Sequence, residues 1–292
     1  MKILSFYNIK KPCFFFVLFV VTSLSVYAQP SVLGSNVADV GNYVTYNITD
    51  FGDFRQQRVQ AVNSSSVSVR TWEFTIGTAG SPNYTTNWRP YTSGNTLSVN
   101  TFIPVGFANG ARYNTGSGGA SGLLPAITSG NYYTFNVSEN SAADNVMQLL
   151  ETSYSPVTIS AVSQSPTGSF VNAAIAPTIA ATISSALSSG EGLFIRWSTD
   201  ISFSSSTIVA MTGSGTTYTG VIPAQGAGTT IYYYILSSNK TESQLNSDKS
   251  TYGESAFDMG TLNLNTLVQS GSGNTNYSYT TTSNPVVVNS TG

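Results

Sequence analysis

Apolar and polar residues alternate with a period of two along most of this chain. In "YVTYNIT", Val44, Tyr46 and Ile48 fall on one face, and Tyr43, Thr45 and Asn47 on the other. "VSVRTWEFTIG" sets Trp72, Phe74 and Ile76 against Thr71, Glu73 and Thr75. "TLSVNTFIP" places Leu97, Val99 and Ile103 together, and "NYYTFNV" does the same with Tyr133, Phe135 and Val137. Each run is bounded by Gly, Pro, Asn or Ser, so the pattern predicts short strands with one buried face. "TGSGGASG", from Thr115 to Gly122, has no side chain that could anchor a core and reads as a loop. "SAADNVMQLLETS" carries a helix-start signal at Ser141 with Asp144 three residues on, yet it also alternates Val146, Gln148 and Leu150 against Met147 and Leu149. The expectation is a short turn followed by a strand.

A second series begins after Pro156. "VTISAVS", "PTIAATISS", "GLFIRWSTD", "STIVAMTG", "TTYTGVIPA", "TTIYYYILSS" and, after a long interval, "NYSYTTT" read as seven short strands. That number and spacing suggest an immunoglobulin-like sandwich. In "GLFIRWS", Leu193, Ile195 and Trp197 share one face, with Trp197 the candidate inward aromatic, while Phe194, Arg196 and Ser198 share the other. Tyr218 to Pro223 and Thr230 to Leu236 are strands connected by Gln225 to Gly228. A phosphate-cradling loop would be followed by a helix. Here the β-branched and aromatic "TTIYYYI" follows, so the Gly-rich segment reads as a structural turn that lets the two strands pair.

Composition agrees with the periodicity. Charged residues are 8% of the 292, far below the usual share of about a quarter. Glu, Lys and Arg are too scarce to clothe long helices, whereas Tyr, Phe, Thr, Val and Ile suit pleated surfaces. The class expected is all-β, with two β-sandwich domains. Lys2, Lys10 and Lys11 flank or precede the apolar "CFFFVLFVV", and small residues at Val26 and Ala28 complete a secretory signal peptide cut after Ala28. The apolar run is shorter than the roughly 20 residues that span a bilayer, so no membrane span is expected once the signal is removed. The division expected is 1–28 signal peptide, 29–155 first sandwich, 156–284 second sandwich, and 285–292 tail or start of a linker. Export to the cell surface, the medium or the periplasm follows. The single cysteine, Cys13, leaves with the signal peptide, so the mature chain has neither disulfides nor thiolate chemistry. Its few, scattered basic residues argue against a nucleic-acid partner.

"LFIRWSTD", "STIVAMTGSGTTYTGVIPAQGAGTTIYYYI" and "LNLNTLVQSGSGNTNYSYT" resemble an immunoglobulin-like module common in secreted multidomain proteins of Bacteroidetes-type bacteria. The shared order is an Arg-bearing strand, a Ser/Thr-rich loop, a strand ending in Ile-Pro-Ala-Gln, a Gly turn and a paired-Tyr strand. The resemblance spans roughly residues 156–283, less than half the chain. It implies an accessory domain of an exported protein and supplies no catalytic residues.

The chain contains no histidine, which excludes Ser-His-Asp and Cys-His nucleophile systems and the commonest zinc ligand. Paired carboxylates are the remaining catalytic option, and Asp50, Asp53, Glu73, Glu139, Glu151 and Asp200 are the acids that could converge. Nothing marks a cleft for them, so the expectation is no enzyme and no cofactor. Asp50 and Asp53, in Asp50-Phe51-Gly52-Asp53, are a weak calcium candidate, a hairpin turn being the simpler reading. "TNWRPY" places Trp88, Arg89 and Tyr91 together, an aromatic surface with donors suited to a sugar ring. Phe194, Arg196, Tyr232 and Tyr234 form a second candidate, on the outward face of adjacent strands, where packing of Arg on Tyr is the simpler role. Glycan or surface protein is the expected partner. The readings carried forward are an exported binding or adhesion module, a carbohydrate-binding accessory protein, and a fragment of a larger secreted hydrolase.

Overall fold

The computed structural model describes residues 43–45, 49–50, 54–61, 67–69, 72–73, 87–90, 95–96, 98–106, 122–124, 127–138, 146–267 and 275–283. The segments expected to be a signal peptide (1–28), most of a loop (115–122), a turn (141–145) and a tail or linker (285–292) lie outside them. The chain is mostly antiparallel sheet with few helices, as its alternation predicts. Among the described residues no helix is long and apolar enough to cross a membrane.

Among the described residues the first half has eleven strands: β1 (Tyr43–Thr45), β2 (Thr49–Asp50), β3 (Phe54–Ala61), β4 (Val67–Val69), β5 (Trp72–Glu73), β6 (Asn87–Pro90), β7 (Asn95–Thr96), β8 (Phe102–Gly106), β9 (Gly122–Leu124), β10 (Tyr132–Ser138) and β11 (Val146–Thr152). An eight-stranded sheet runs β1-β3-β10-β11-β8-β6-β5, with β2 pairing β3, and a small sheet runs β4-β9-β7. The strand expected in "VMQLLETS" is β11. One expectation needs correction. Val99 and Ile103 do not share a strand, because a turn at Val99–Asn100 intervenes, with Asn100 in the left-handed region at φ 59°. Asn tolerates that conformation better than most residues.

The second half supplies β12 (Ile159–Ser165), β13 (Phe170–Asn172), β14 (Thr178–Ile183), β15 (Gly192–Ser198), β16 (Thr207–Ala210), β17 (Thr212–Ser214), β18 (Thr217–Val221), β19 (Thr230–Ser238), β20 (Asn263–Asn265) and β21 (Tyr277–Thr282). All seven expected strands are present. One sheet runs β12-β14-β18-β17 and the other β13-β21-β19-β15-β16, with β20 pairing β19. Their inward residues meet in one core, which includes Ile179, Ile183, Ile195, Tyr218, Ile235 and Tyr279. Trp197 packs against this core from the face it shares with Leu193 and Ile195.

The segment Gln225–Gly228 does join two strands, but they do not pair. β18 and β19 belong to opposite sheets, so the segment carries the chain across the core. Gly228, at φ 82°, donates its N–H to Thr281 O at 2.7 Å, and Thr281 Oγ1 donates to Gly226 O. No helix follows, so no ring of helical N–H groups is presented there.

Between β19 and β20 the chain builds two helices, α1 (Glu242–Tyr252) and α2 (Ser255–Met259). Thr241 caps α1: its hydroxyl accepts from Gln244 N while Gln244 Oε1 accepts from Thr241 N, two donors satisfied reciprocally. Gly260 ends α2 where a Cβ would stand 2.5 Å from Leu245 Cδ2, so any larger residue would force the buried leucine to shift. The helices cover the face of β15 and β19 that points away from the sandwich core. A second apolar cluster forms there, containing Phe194, Tyr234, Leu236, Leu245, Phe257 and, from the first half, Phe102.

The two halves meet through polar side chains. Asn136 Nδ2 of β10 donates to Met259 O at 2.8 Å and to Thr261 O at 2.7 Å, and Gln56 Nε2 of β3 donates to Thr261 O at 2.9 Å. Arg58 Nη2 donates to Leu262 O. Asn239 Nδ2 donates to Asn100 Oδ1 and Glu151 O, at 2.9 and 3.0 Å. The last carbonyls of a helix have no partner within it, and those following α2 find theirs on the first sheet. This is why β10 is buried on both faces, with Thr134 and Asn136, and Gln56 of β3 beside them, as inaccessible as Tyr133 and Phe135. Asn136→Ala leaves Met259 O without its side-chain donor and Thr261 O with only that of Gln56, and is expected to lower unfolding stability by about 2 kcal/mol in urea denaturation. An unchanged midpoint would show that the contact does not join the halves.

Candidate functional site

The alternation of "GLFIRWS" turns Phe194 and Arg196 away from the sandwich core, and register places Arg196 opposite Tyr234 and Phe194 opposite Leu236. Phe194, Arg196, Tyr232 and Tyr234 are therefore brought to one face, as the sequence suggests. That face is not outward. The helices lie on it, leaving Arg196 3% and Tyr234 6% exposed, with Tyr232 half-buried at the margin.

Arg196 is the hub. Nε donates to Ser206 Oγ at 2.8 Å, and Nη1 donates to Tyr234 Oη at 2.6 Å and Asp258 Oδ1 at 2.8 Å. Nη2 reaches Glu254 O at 3.1 Å and Glu254 Oε2 at 3.4 Å. Its guanidinium carbon stands 5.2 Å from the ring centres of both Phe203 and Phe257 and 5.7 Å from that of Tyr234. Tyr234 in turn donates to Asp258 Oδ1 at 2.7 Å, and Glu254 bridges to Lys249 Nζ at 2.8 Å. Burial opposes the charge on Arg196, but Asp258 outweighs it and holds the guanidinium firmly protonated. Burial pushes the Tyr234 hydroxyl well above the ordinary range, so the phenol stays neutral as donor and acceptor. Each group is satisfied by another within the cluster, which pins α2 to the sheet.

A second buried carboxylate was not foreseen. Glu191 precedes β15, and its Oε1 accepts from Val157 N at 3.0 Å. Its Oε2 lies buried with the Ser237 hydroxyl beside it, and the Tyr154 hydroxyl is buried without a hydrogen-bond partner among the described residues. Burial raises the Glu191 carboxyl above its usual range, against the lowering influence of the Val157 and Ser188 amides, the Ser237 hydroxyl and the charge of Arg58. Burial likewise pushes the Tyr154 hydroxyl up to about 12, helped by the nearby Glu191 charge.

The other acids hold local structure. Glu151 Oε1 accepts from Tyr133 Oη at 2.7 Å and Asn131 Nδ2 at 2.9 Å. Asp200 accepts from the hydroxyls and amides of Ser202 and Ser204, and these donors keep it well below the usual carboxylate range. Asp50 pairs in register with Arg55 where β2 meets β3, while Asp53 and Glu139 lie outside the described residues. Glu73 of β5 stands opposite Asn87 of β6. Among the described residues no group of three or more His, Cys, Asp or Glu is placed to hold a metal ion. Trp88 sits on β6 opposite Trp72 of β5, and Arg89 is opposite Gly106, while Tyr91 lies outside the described residues.

No protein-family model matches the chain, and no curated protein matches it. Two partners of Arg196, Glu254 and Asp258, were missed because they lie at the unforeseen helix α2. The signals were present: "TESQ" is a capping-box spacing, and Asp258 is a lone charge inside "AFDMG".

Two outcomes are expected. Arg196→Met leaves Asp258 buried without its cation and should cost about 3–5 kcal/mol in urea denaturation. Glu191 favours its protonated form when folded, so its contribution to stability is full below the ordinary carboxylate value of 4.5 and is lost as pH rises through the higher folded value. Glu191→Gln should therefore flatten that decline between pH 4 and 8 and exceed the wild type in stability at pH 8. A steeper decline in the variant would contradict the assignment.

Proposed function

We propose that this chain is an exported, non-catalytic binding or adhesion module of the cell surface or extracellular space, built of two β-sandwich domains. The second domain, residues 156–284, is read as immunoglobulin-like. Strand order supports that reading: β12, β14, β18 and β17 correspond to strands A, B, E and D of such a sandwich, and β15, β19 and β21 to C, F and G.

The observation that carries the functional reading is where the charges go. Arg196, Asp258, Glu254 and Lys249 bind one another, Lys240 binds Asp248, and Glu151 and Asp200 bind neighbouring hydroxyls and amides. These charged groups, from residue 151 onward, are thus engaged in holding strands, turns and helices together. What remains at its surface is largely Ser, Thr, Asn and Gly with isolated apolar residues such as Phe170 and Ile201. Such a surface suits contact better than bond-breaking chemistry.

A second reading, a carbohydrate-binding accessory role, is favoured by the pairing of Trp72 with Trp88 at opposed positions of β5 and β6, since aromatic rings supply the stacking face that a sugar needs. The test uses the chain from Gln29 to Gly292 against immobilised polysaccharides and extracellular proteins, with release of reducing ends and peptides followed in the same samples. Saturable binding without product is the expected result. Steady release of sugar or peptide would overturn the non-catalytic reading in favour of a hydrolase fragment.

A further inference from the structure

At the seam between the halves, Phe102 at the start of β8 reaches across to the end of α1. Its ring stacks on Tyr252, with centroids 4.1 Å apart and planes inclined by 17°. Lys240 Nζ lies 5.1 Å from the same Phe102 ring and is ion-paired with Asp248, one helical turn before Tyr252. Phe102 is 8% exposed and Tyr252 43%. The inner face of the tyrosine is therefore covered by the phenylalanine, and its exposed area belongs to the opposite face and the edge. An aromatic ring held flat from behind, with its other face open, loses little conformational freedom on meeting a ligand.

The surroundings set the chemistry. Asn100, two residues before Phe102, is exposed and firmly placed: its N–H donates to Leu149 O at 2.6 Å, and its Oδ1 accepts from Glu151 N at 3.2 Å and Asn239 Nδ2 at 2.9 Å. Those bonds use the amide oxygen and leave Nδ2 to donate. Thr101, beside it, is also exposed. Lys240 and Asp248 neutralise each other, so the pair beside the Phe102 ring adds no net charge to select an anion. A flat apolar face flanked by neutral hydrogen-bonding groups matches a pyranose ring, apolar on one side and hydroxyl-bearing at its rim.

We propose that Tyr252, backed by Phe102 and with Asn100 two residues from that phenylalanine along the chain, is a stacking platform for a neutral hexopyranose glycan. The proposal rests on the carbohydrate reading above and adds a site at the seam, separate from Trp88. The platform takes its two rings from different halves of the chain, so it exists only when the halves are docked.

The test is affinity electrophoresis of the chain from Gln29 to Gly292 through gels containing soluble glucan, mannan, galactan or xylan, with acidic pectin as the charged comparison. The wild type should be retarded by at least one neutral polysaccharide. Tyr252→Ala should weaken that retardation about tenfold, the size of one lost stacking contact, and Tyr252→Phe should keep it. Tyr252→Leu preserves an apolar cover over Phe102 and decides the matter if the alanine variant unfolds, since a leucine cannot offer a flat ring. Retardation unchanged in Tyr252→Leu but lost in Trp88→Ala would overturn the platform and leave the carbohydrate reading standing. A wild type that no polysaccharide retards would overturn both, and preference for pectin alone would overturn the neutral-glycan assignment.

Discussion

A guanidinium taken out of water must find an acceptor for each of its five N–H groups, and Arg196 finds them on Ser206, Tyr234, Asp258 and Glu254. Two of these partners, Glu254 and Asp258, stand at α2. The charge thus fixes a helix of only five residues that has too little length to be stable alone. Phe203 and Phe257 flank the guanidinium and keep water away, which strengthens each bond while making any missing one more costly. The adjacent sandwich core contains no charged side chain by contrast.

Consequences extend outward from that anchor. Once α2 is seated, its C-terminal carbonyls, and those of the segment leading into β20, are aimed at the first half. Asn136, Gln56 and Arg58 satisfy them. β20 is tied in turn to the start of the second sandwich, since Asn263 Nδ2 donates to Val157 O at 2.6 Å and Asn265 Nδ2 to Ile159 O at 2.8 Å. The helical insert is thereby a joint as well as a cover. Directional hydrogen bonds of this kind specify one relative placement of two sheets more narrowly than an apolar seam would, because each buried carbonyl tolerates few alternative donors. The stack of Phe102 on Tyr252 lies at the edge of this joint and depends on it.

Much of the sheet structure was legible from alternation because strands with one solvated face display their burial directly. The seven strands after Pro156, the inward Trp197 and the strand in "VMQLLETS" were readable on that ground. β3 was not, because "FRQQRVQA" buries polar side chains against another part of the chain, and its alternation resembles that of a solvated strand. The helices were obscured by a polar, Ser-rich α1 whose only fully buried residue is Leu245, so helical periodicity is faint and the capping box is the clearest sign. Arg196 and Tyr234 were correctly placed together on one face, but which face is free depends on what the insert covers, and alternation carries no such information. Tyr252 was invisible as a site for the same reason: its importance comes from Phe102, 150 positions away in the numbering and adjacent only in the fold.

The central claim is that the insert makes the two halves a single cooperative body. Differential scanning calorimetry of the chain from Gln29 to Gly292 tests it most directly. A single endotherm is expected, with the calorimetric and van't Hoff enthalpies equal, because the first sheet and the second sandwich share the α2 joint. Two resolved transitions, or a van't Hoff enthalpy near half the calorimetric one, would mean that the halves unfold independently and that the joint does not couple them.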